Sequence, residues 1–151
     1  LPTYVNYGIA GIGICGSDVL YESGFHFYKP LTFSFGRTTM CLAGMKGENH
    51  WKQERPLRVS SKFTKFTRDY YNSLGIPVEI VKLNGSVELG AVLGLTPYIV
   101  DLVETGSTLV ANNLEVFEKL KEIQVKMVCN PAYYKIHYQK INELVELLQE
   151  R

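Results

Sequence analysis

The sequence predicts an α/β protein built as two lobes around a cleft. Three observations carry this expectation. From Leu57 onward, short apolar runs alternate with helical patterns, the signature of strand–helix–strand units. The polar stretch from Gly44 to Pro56, with Gly47, Glu48 and Asn49, reads as a crossing out of a first lobe. The mostly extended stretch from Phe117 to Cys129 is long enough to cross back. The expected division is 1–43 with 126–151 for the first lobe and 44–125 for the second. Clefts between lobes are where small ligands usually sit.

The elements follow in order. Thr3 to Tyr7 reads as a short helix stopped by Gly8. The apolar run from Ile9 to Gly16 reads as a buried strand. Ser17-Asp18 can cap a helix through Glu22 that Gly24 ends. A loop rich in Phe, Tyr, Thr and Ser leads to a strand over Arg37 to Ala43. Beyond Pro56, strands are expected over Leu57 to Ser60, Pro77 to Leu83 and Tyr98 to Val103. Helices are expected over Phe66 to Leu74 and Ser86 to Leu93, with a loop and short helix up to Leu114. The alternation predicts a parallel sheet. Tyr134 to Gln149 places Ile141, Leu144, Val145 and Leu148 at helical spacing, an amphipathic closing helix.

Composition narrows the function classes. A chain of 151 residues can bury roughly 70% of its unfolded surface and needs no covalent staples. Its 46% hydrophobic and 21% charged content is that of a globular protein. A net charge of +1 gives no electrostatic reason to expect nucleic acid as a partner. No run of ~20 apolar residues suits a membrane span. Cys15, Cys41 and Cys129 are scattered and odd in number, which points to a reducing cytoplasm rather than a disulfide framework or zinc site. His26, His50 and His137 are equally dispersed, so no metal site is expected from them.

Gly11-x-Gly13-x-x-Gly16 matches a dinucleotide-binding fingerprint, but its first two glycines lie inside the apolar run instead of in the turn after it. The acidic residue that should follow ~20 positions later is absent. These glycines are read as small residues that let a helix pack closely on a strand.

The informative segment is Asp101-Leu-Val-Glu104-Thr105-Gly106-Ser107-Thr108-Leu109. A buried strand delivers two carboxylates and then a turn of small and hydroxyl residues at a helix start. Clustered backbone N–H groups can hold a phosphate without lysine, and Gly106 lacks the Cβ that would keep an anion away. Asp101 and Glu104 are acceptors suited to the 2- and 3-hydroxyls of a ribose. Together these parts complement ribose 5-phosphate. The alternative is a plain helix cap, with Thr105 or Ser107 as N-cap and the acids serving the helix start.

This run, with Ala111-Asn112-Asn113-Leu114 after it, resembles the ATP phosphoribosyltransferase family, the first enzyme of histidine biosynthesis. Three further segments are similar to that family: Arg58-Val-Ser-Ser-Lys62-Phe63 with Thr67-Arg-Asp-Tyr70, Lys82-Leu-Asn-Gly85-Ser86-Val-Glu88-Leu89, and Pro2-Thr-Tyr-Val5 with Gly13-Ile-Cys-Gly-Ser-Asp18-Val-Leu20. The chain departs from the family pattern at Phe63-Thr64 and Gly90-Ala91, where Tyr-Pro and Ala-Pro are usual. Family members begin roughly 50 residues earlier, and the long form adds a regulatory domain after the last helix seen here, so the resemblance implies a short-form catalytic subunit lacking its N-terminal segment.

The resemblance implies a two-lobed, periplasmic-binding-protein-like fold. It also implies a reaction that joins N1 of ATP's adenine to C1 of phosphoribosyl diphosphate and releases diphosphate. Asp101, Glu104, Thr105, Gly106, Ser107, Thr108 and Leu109 are then the phosphoribosyl diphosphate site. Asp18, Lys62, Gly85, Ser86 and Glu88 are candidates for ATP or diphosphate. Lys62 can equally be a solvated surface lysine, and Gly85-Ser86 a plain cap. No individual catalytic base is assigned, because adenine N1 carries a free lone pair. Mg²⁺ bound mainly through substrate is the implied cofactor, with no protein metal site. The implied partners are further copies of the chain and a regulatory subunit resembling histidyl-tRNA synthetase. Two other classes stay open on the residues alone: a two-lobed binding protein without chemistry, and a phosphoribosyltransferase with another acceptor base.

Overall fold

The computed structural model describes residues 1–149. Its elements in chain order are α1 (Pro2–Asn6), β1 (Ile12–Gly16), α2 (Ser17–Ser23), β2 (Tyr28–Thr32), β3 (Thr38–Met45), β4 (Leu57–Ser61), α3 (Thr64–Ser73), β5 (Val78–Lys82), α4 (Glu88–Val92), β6 (Tyr98–Val103), α5 (Ser107–Ala111), β7 (Leu114–Ile123), β8 (Val125–Cys129) and α6 (Pro131–Gln149). The chain divides into two compact units, Leu1–Arg37 with the chain from Gln124 onward, and Thr38–Ile123.

The first unit carries a three-stranded antiparallel sheet in the order β1-β8-β2. Its central strand alternates by the two-residue period of a strand. Met127 and Cys129 pack with Ile141 and Val145 of α6, and Val128 packs with Val5 and Leu20 of α1 and α2. A Cβ at Gly13 would stand 3.0 Å from Val5 and 3.2 Å from Leu1, so this glycine lets α1 close onto β1. That is a packing role, and no phosphate turn forms around it. Helix α6 starts three residues earlier than the hydrophobic spacing implies. Asn130 is the reason: its Oδ1 accepts from the N–H groups of Ala132 and Tyr133, and Pro131 follows at the first helical position. The helix is kinked at His137.

The second unit is a five-stranded sheet in the order β5-β4-β6-β3-β7. β5, β4 and β6 are parallel, while β3 runs antiparallel to both β6 and β7. The sheet is therefore mixed, not parallel throughout. The parallel part is what the alternation of strands and helices encodes, and β3 and β7, which come before and after it in the chain, supply the antiparallel part. One core cluster gathers Met40, Leu42, Leu57, Val59, Phe66, Tyr71 and Val100, and a second gathers Ala43, Val87, Ala91, Ile99, Leu109 and Leu114.

The unit boundary lies at 37/38 and 123/124, whereas the sequence places it at 43/44 and 125/126. β3 pairs along most of its length with β6 and β7 and so belongs to the second sheet. The polar stretch after it joins β3 to β4 inside one unit and is not a crossing.

Candidate functional site

Three parallel strands of the second unit end at the same edge of the sheet, and each leads into a loop and helix. Lys62 and Phe63 follow β4, Leu83 to Val87 follow β5, and Glu104 to Gly106 follow β6. The carboxyl ends of parallel strands are where α/β sheets bind ligands, because helix starts converge there and the strands' own backbone groups are spent in pairing. The second-unit residues singled out in the sequence come from these three connections, the helix starts beside them and, for Asp101, β6 itself.

A cavity of about 400 Å³ opens at this edge, lined by Glu88 and the run from Asp101 to Leu109. Gly106 holds φ +79° and is the N-cap of α5. A side chain there would meet open space, with Val103 nearest at 3.9 Å. The glycine is thus required first by the left-handed backbone. The N-cap of α5 is Gly106, so neither Thr105 nor Ser107 takes that position. Thr105 Oγ1 instead donates to Ser107 Oγ at 3.2 Å and accepts a long bond from the Ser107 N–H at 3.4 Å. Leu109 is buried in the second core cluster and anchors the loop from beneath.

Asp101 sits on β6 opposite Cys41 of β3, half-buried, with its Oδ1 accepting from the Leu102 N–H at 2.9 Å. Burial raises its pKa above the usual carboxylate range, and the nearby Glu88 carboxylate adds to that; the Leu102 N–H and the Lys62 ammonium oppose it. Glu104 is exposed at the cavity rim.

Glu88 opens α4 and lines the same cavity. Gly85 and Ser86 are exposed in the turn before it, and Ser86 holds φ +48°. The N-cap of α4 is Val87 and no side-chain cap is made, so Ser86 does not serve as a plain cap. Lys62 is exposed in the bend directly after the Ser61–Val100 pair, near enough to Asp101 for its ammonium to act on that carboxyl. Asp18 lies in the first unit, 8% exposed in the first turn of α2. Sequence reasoning passed over Ser61, a fully buried hydroxyl at the end of β4. A serine where a parallel central strand favours Val or Ile was the available signal.

A chain of two α/β units, one of them with a loop-built cavity at the carboxyl ends of its parallel strands, is of the periplasmic-binding-protein fold type. The periplasmic aliphatic sulphonate binding protein of Escherichia coli shares that fold at TM-score 0.64 and 9% identity, over 95% of this chain and 55% of that one.

Within that fold type, the family model for ATP phosphoribosyltransferase matches residues 1–150, and the chain belongs to the ATP phosphoribosyltransferase family. The ATP phosphoribosyltransferase of Caldicellulosiruptor saccharolyticus is 44% identical over 151 residues, covering 99% of this chain and 72% of the relative. That of Clostridioides difficile is 38% identical over 148 residues, covering 98% and 71%. A chain of the ATP phosphoribosyl transferase HisG:HisZ complex from Thermotoga maritima matches at TM-score 0.87 and 39% identity, over 99% of this chain and 73% of that chain.

Proposed function

We propose that the chain transfers phosphoribosyl from phosphoribosyl diphosphate to N1 of ATP's adenine, the first step of histidine biosynthesis, and that the Asp101–Leu109 loop is its sugar-phosphate site. The observation that carries this reading is the single cavity wall that joins a left-handed Thr-Gly-Ser-Thr turn to two carboxylates.

The backbone N–H groups and hydroxyls of Thr105, Gly106, Ser107 and Thr108 hold the 5-phosphate, and Asp101 and Glu104 accept from the ribose hydroxyls. As the bond at C1 breaks, positive charge grows on the sugar ring. A carboxylate already in place then stabilises the transition state more than the ground state. Lys62, just past the end of β4, takes a phosphate of ATP or the diphosphate, with Gly85, Ser86 and Glu88 from the connection after β5. Asp18 is assigned to the adenine.

Among the described residues no group of three or more His, Cys, Asp or Glu could hold a metal ion. A Mg²⁺ bound mainly by substrate oxygens and water would need no such group. Such an ion would neutralise the leaving diphosphate. No helix among the described residues is long and apolar enough to cross a membrane. Three free cysteines accord with a cytoplasmic enzyme. A further copy of the chain and a regulatory subunit like the one named in the Thermotoga maritima complex are the proposed partners.

The test mixes the chain with ATP, phosphoribosyl diphosphate and Mg²⁺, with and without a HisZ-type partner, and follows diphosphate release. Release that needs ATP supports the reading. Release with another base in place of ATP, and none with ATP, would refute it.

A further inference from the structure

The buried serine at the end of β4 has no part in the scheme above. Ser61 is 0% exposed, and an unbonded hydroxyl there would be costly. Both of its bonding capacities are used. Its Oγ donates to the carbonyl of Val100 at 2.7 Å and accepts from the N–H of Phe63 at 2.9 Å. Its carbonyl accepts from the N–H of Leu83 at 3.1 Å, at the start of the loop that leads to Glu88. One residue therefore ties together the ends of β5, β4 and β6.

The bonds bracket Lys62. On one side, the Ser61 hydroxyl grips β6 at the residue before Asp101. On the other, it fixes Phe63, whose ring is buried in the core and whose carbonyl accepts from both the N–H and the hydroxyl of Thr67. Lys62 is the one residue between these anchors, and its backbone has little freedom to drift from Asp101.

We propose that Ser61 is a positioning residue for the sugar site, a hydroxyl clamp that holds Lys62 beside Asp101 by joining the end of β4 to the end of β6. The proposal rests on the reading of Asp101 as a ribose ligand. Its physical consequence is charge tuning. Lys62 opposes the upward pull that burial exerts on the Asp101 carboxyl, so a Lys62 held close lowers that carboxyl's pKa relative to one that drifts away. The other groups facing Asp101 are the Glu88 carboxylate from α4, the Cys41 thiol across the β3–β6 pair, and Glu104 on the loop after its own strand. Burial pushes the Cys41 thiol up, so it stays neutral where Asp101 titrates. Lys62 is the one cation of the set.

The test reads the Asp101 carboxyl directly, by carbon-detected NMR titration in the intact chain, and reads phosphoribosyl diphosphate affinity by calorimetry over the same pH range. Ser61→Ala should raise the Asp101 midpoint by about half a pH unit or more, in the same direction as Lys62→Met. Ser61→Thr, which keeps the hydroxyl, should restore the wild-type midpoint. Affinity should weaken over the same shifted range. If Ser61→Ala does not fold, Ser61→Cys, a weaker donor of similar size, should lie between wild type and Lys62→Met. A Ser61 variant that melts earlier yet leaves the midpoint unmoved overturns the proposal, because a merely structural serine would behave that way. An unmoved midpoint in Lys62→Met overturns it as well. The underlying reading fails separately: Asp101→Asn would then leave affinity and turnover at wild-type values, and the clamp would have no sugar to serve.

Discussion

At the scale of single residues, the proposed roles of the Thr105–Thr108 turn and of the two acids lead to different expectations. A hydrogen bond to a charged group is worth about 1.5–3 kcal/mol, so Thr108→Ala should weaken phosphoribosyl diphosphate binding roughly 10- to 150-fold. Gly106→Val should do worse, because φ +79° is closed to a β-branched residue. Calorimetric titration checks both, and unchanged affinity in the pair would remove the loop from the site. Asp101→Asn keeps a hydrogen-bonding atom but loses the charge that the proposed function sets against a cationic ring. Turnover should fall more than affinity, which steady-state kinetics with direct binding would separate. The same substitution should raise the melting temperature at pH 7. Asp101 has a folded pKa raised by burial, so its charged form is less favourable folded than unfolded. The penalty is absent below the unfolded pKa, where both states are protonated. It sets in as pH rises through the window between the unfolded and folded values, and is complete above the folded one. Asp101→Asn should therefore gain stability at pH 7 and little at pH 3. A lower melting temperature at pH 7 would mean that the carboxylate is not a burden on the fold.

The cavity wall formed by this loop was legible in the sequence because its residues are contiguous from Asp101 to Leu109. Ser61 stood out only as a serine in a strand, and its partner was not legible. Its role depends on a β4–β6 pairing between residues 39 positions apart, and nothing local to Val59-Ser60-Ser61-Lys62 announces the partner.

At the scale of elements, the legible strands were those with apolar runs, β4, β5 and β6 among them. β2 was hidden because it exposes most of its side chains and contains Pro30. The start of α6 was written in Asn130-Pro131, a cap and first-turn pair that the hydrophobic spacing from Tyr134 overshadowed. Asn130 does more than cap. Its Nδ2 donates to the carbonyls of Val5 and Asn6 at the end of α1, so one side chain completes two helix ends. Asn130→Ala should cost about 2–3 kcal/mol, the sum of a lost cap and unpaired carbonyls. Asn130→Asp, which keeps the cap and loses the donors, should cost less. Urea denaturation resolves the two, and equal losses would contradict the division of labour.

Gly90 of α4 sets a second element-scale test. An alanine Cβ there would lie 2.6 Å from the buried Ser60 hydroxyl, which is bonded to Thr96. Alanine gains up to ~1 kcal/mol in helix propensity. Overpacking costs about 1–3 kcal/mol and disturbs a bonded buried hydroxyl, so the net change should be destabilising. A stabilised Gly90→Ala would show that α4 can move off β4 freely.

At the scale of the whole molecule, the second unit is a continuous stretch, Thr38–Ile123, with its own core clusters and the complete loop-built cavity. The sequence revealed two lobes but not their border, because β3 looks like the end of one run of chain while its hydrogen bonds lie in the next sheet. The continuity matters for function: a sugar-phosphate site built from the loops after β4, β5 and β6 should not need the first unit to take up its ligand. Ribose 5-phosphate, which carries the phosphate and both hydroxyls without diphosphate or base, is therefore the sharpest probe. The decisive measurement is its titration into the isotopically labelled chain, followed through backbone amide shifts. The largest perturbations should fall on Thr105 to Leu109, with Asp101 and Glu104 next. Shifts confined instead to Met45–Glu54 and Thr96–Tyr98, around the separate cavity lined by Glu48, His50 and Glu54, would contradict the assignment of the phosphoribosyl site.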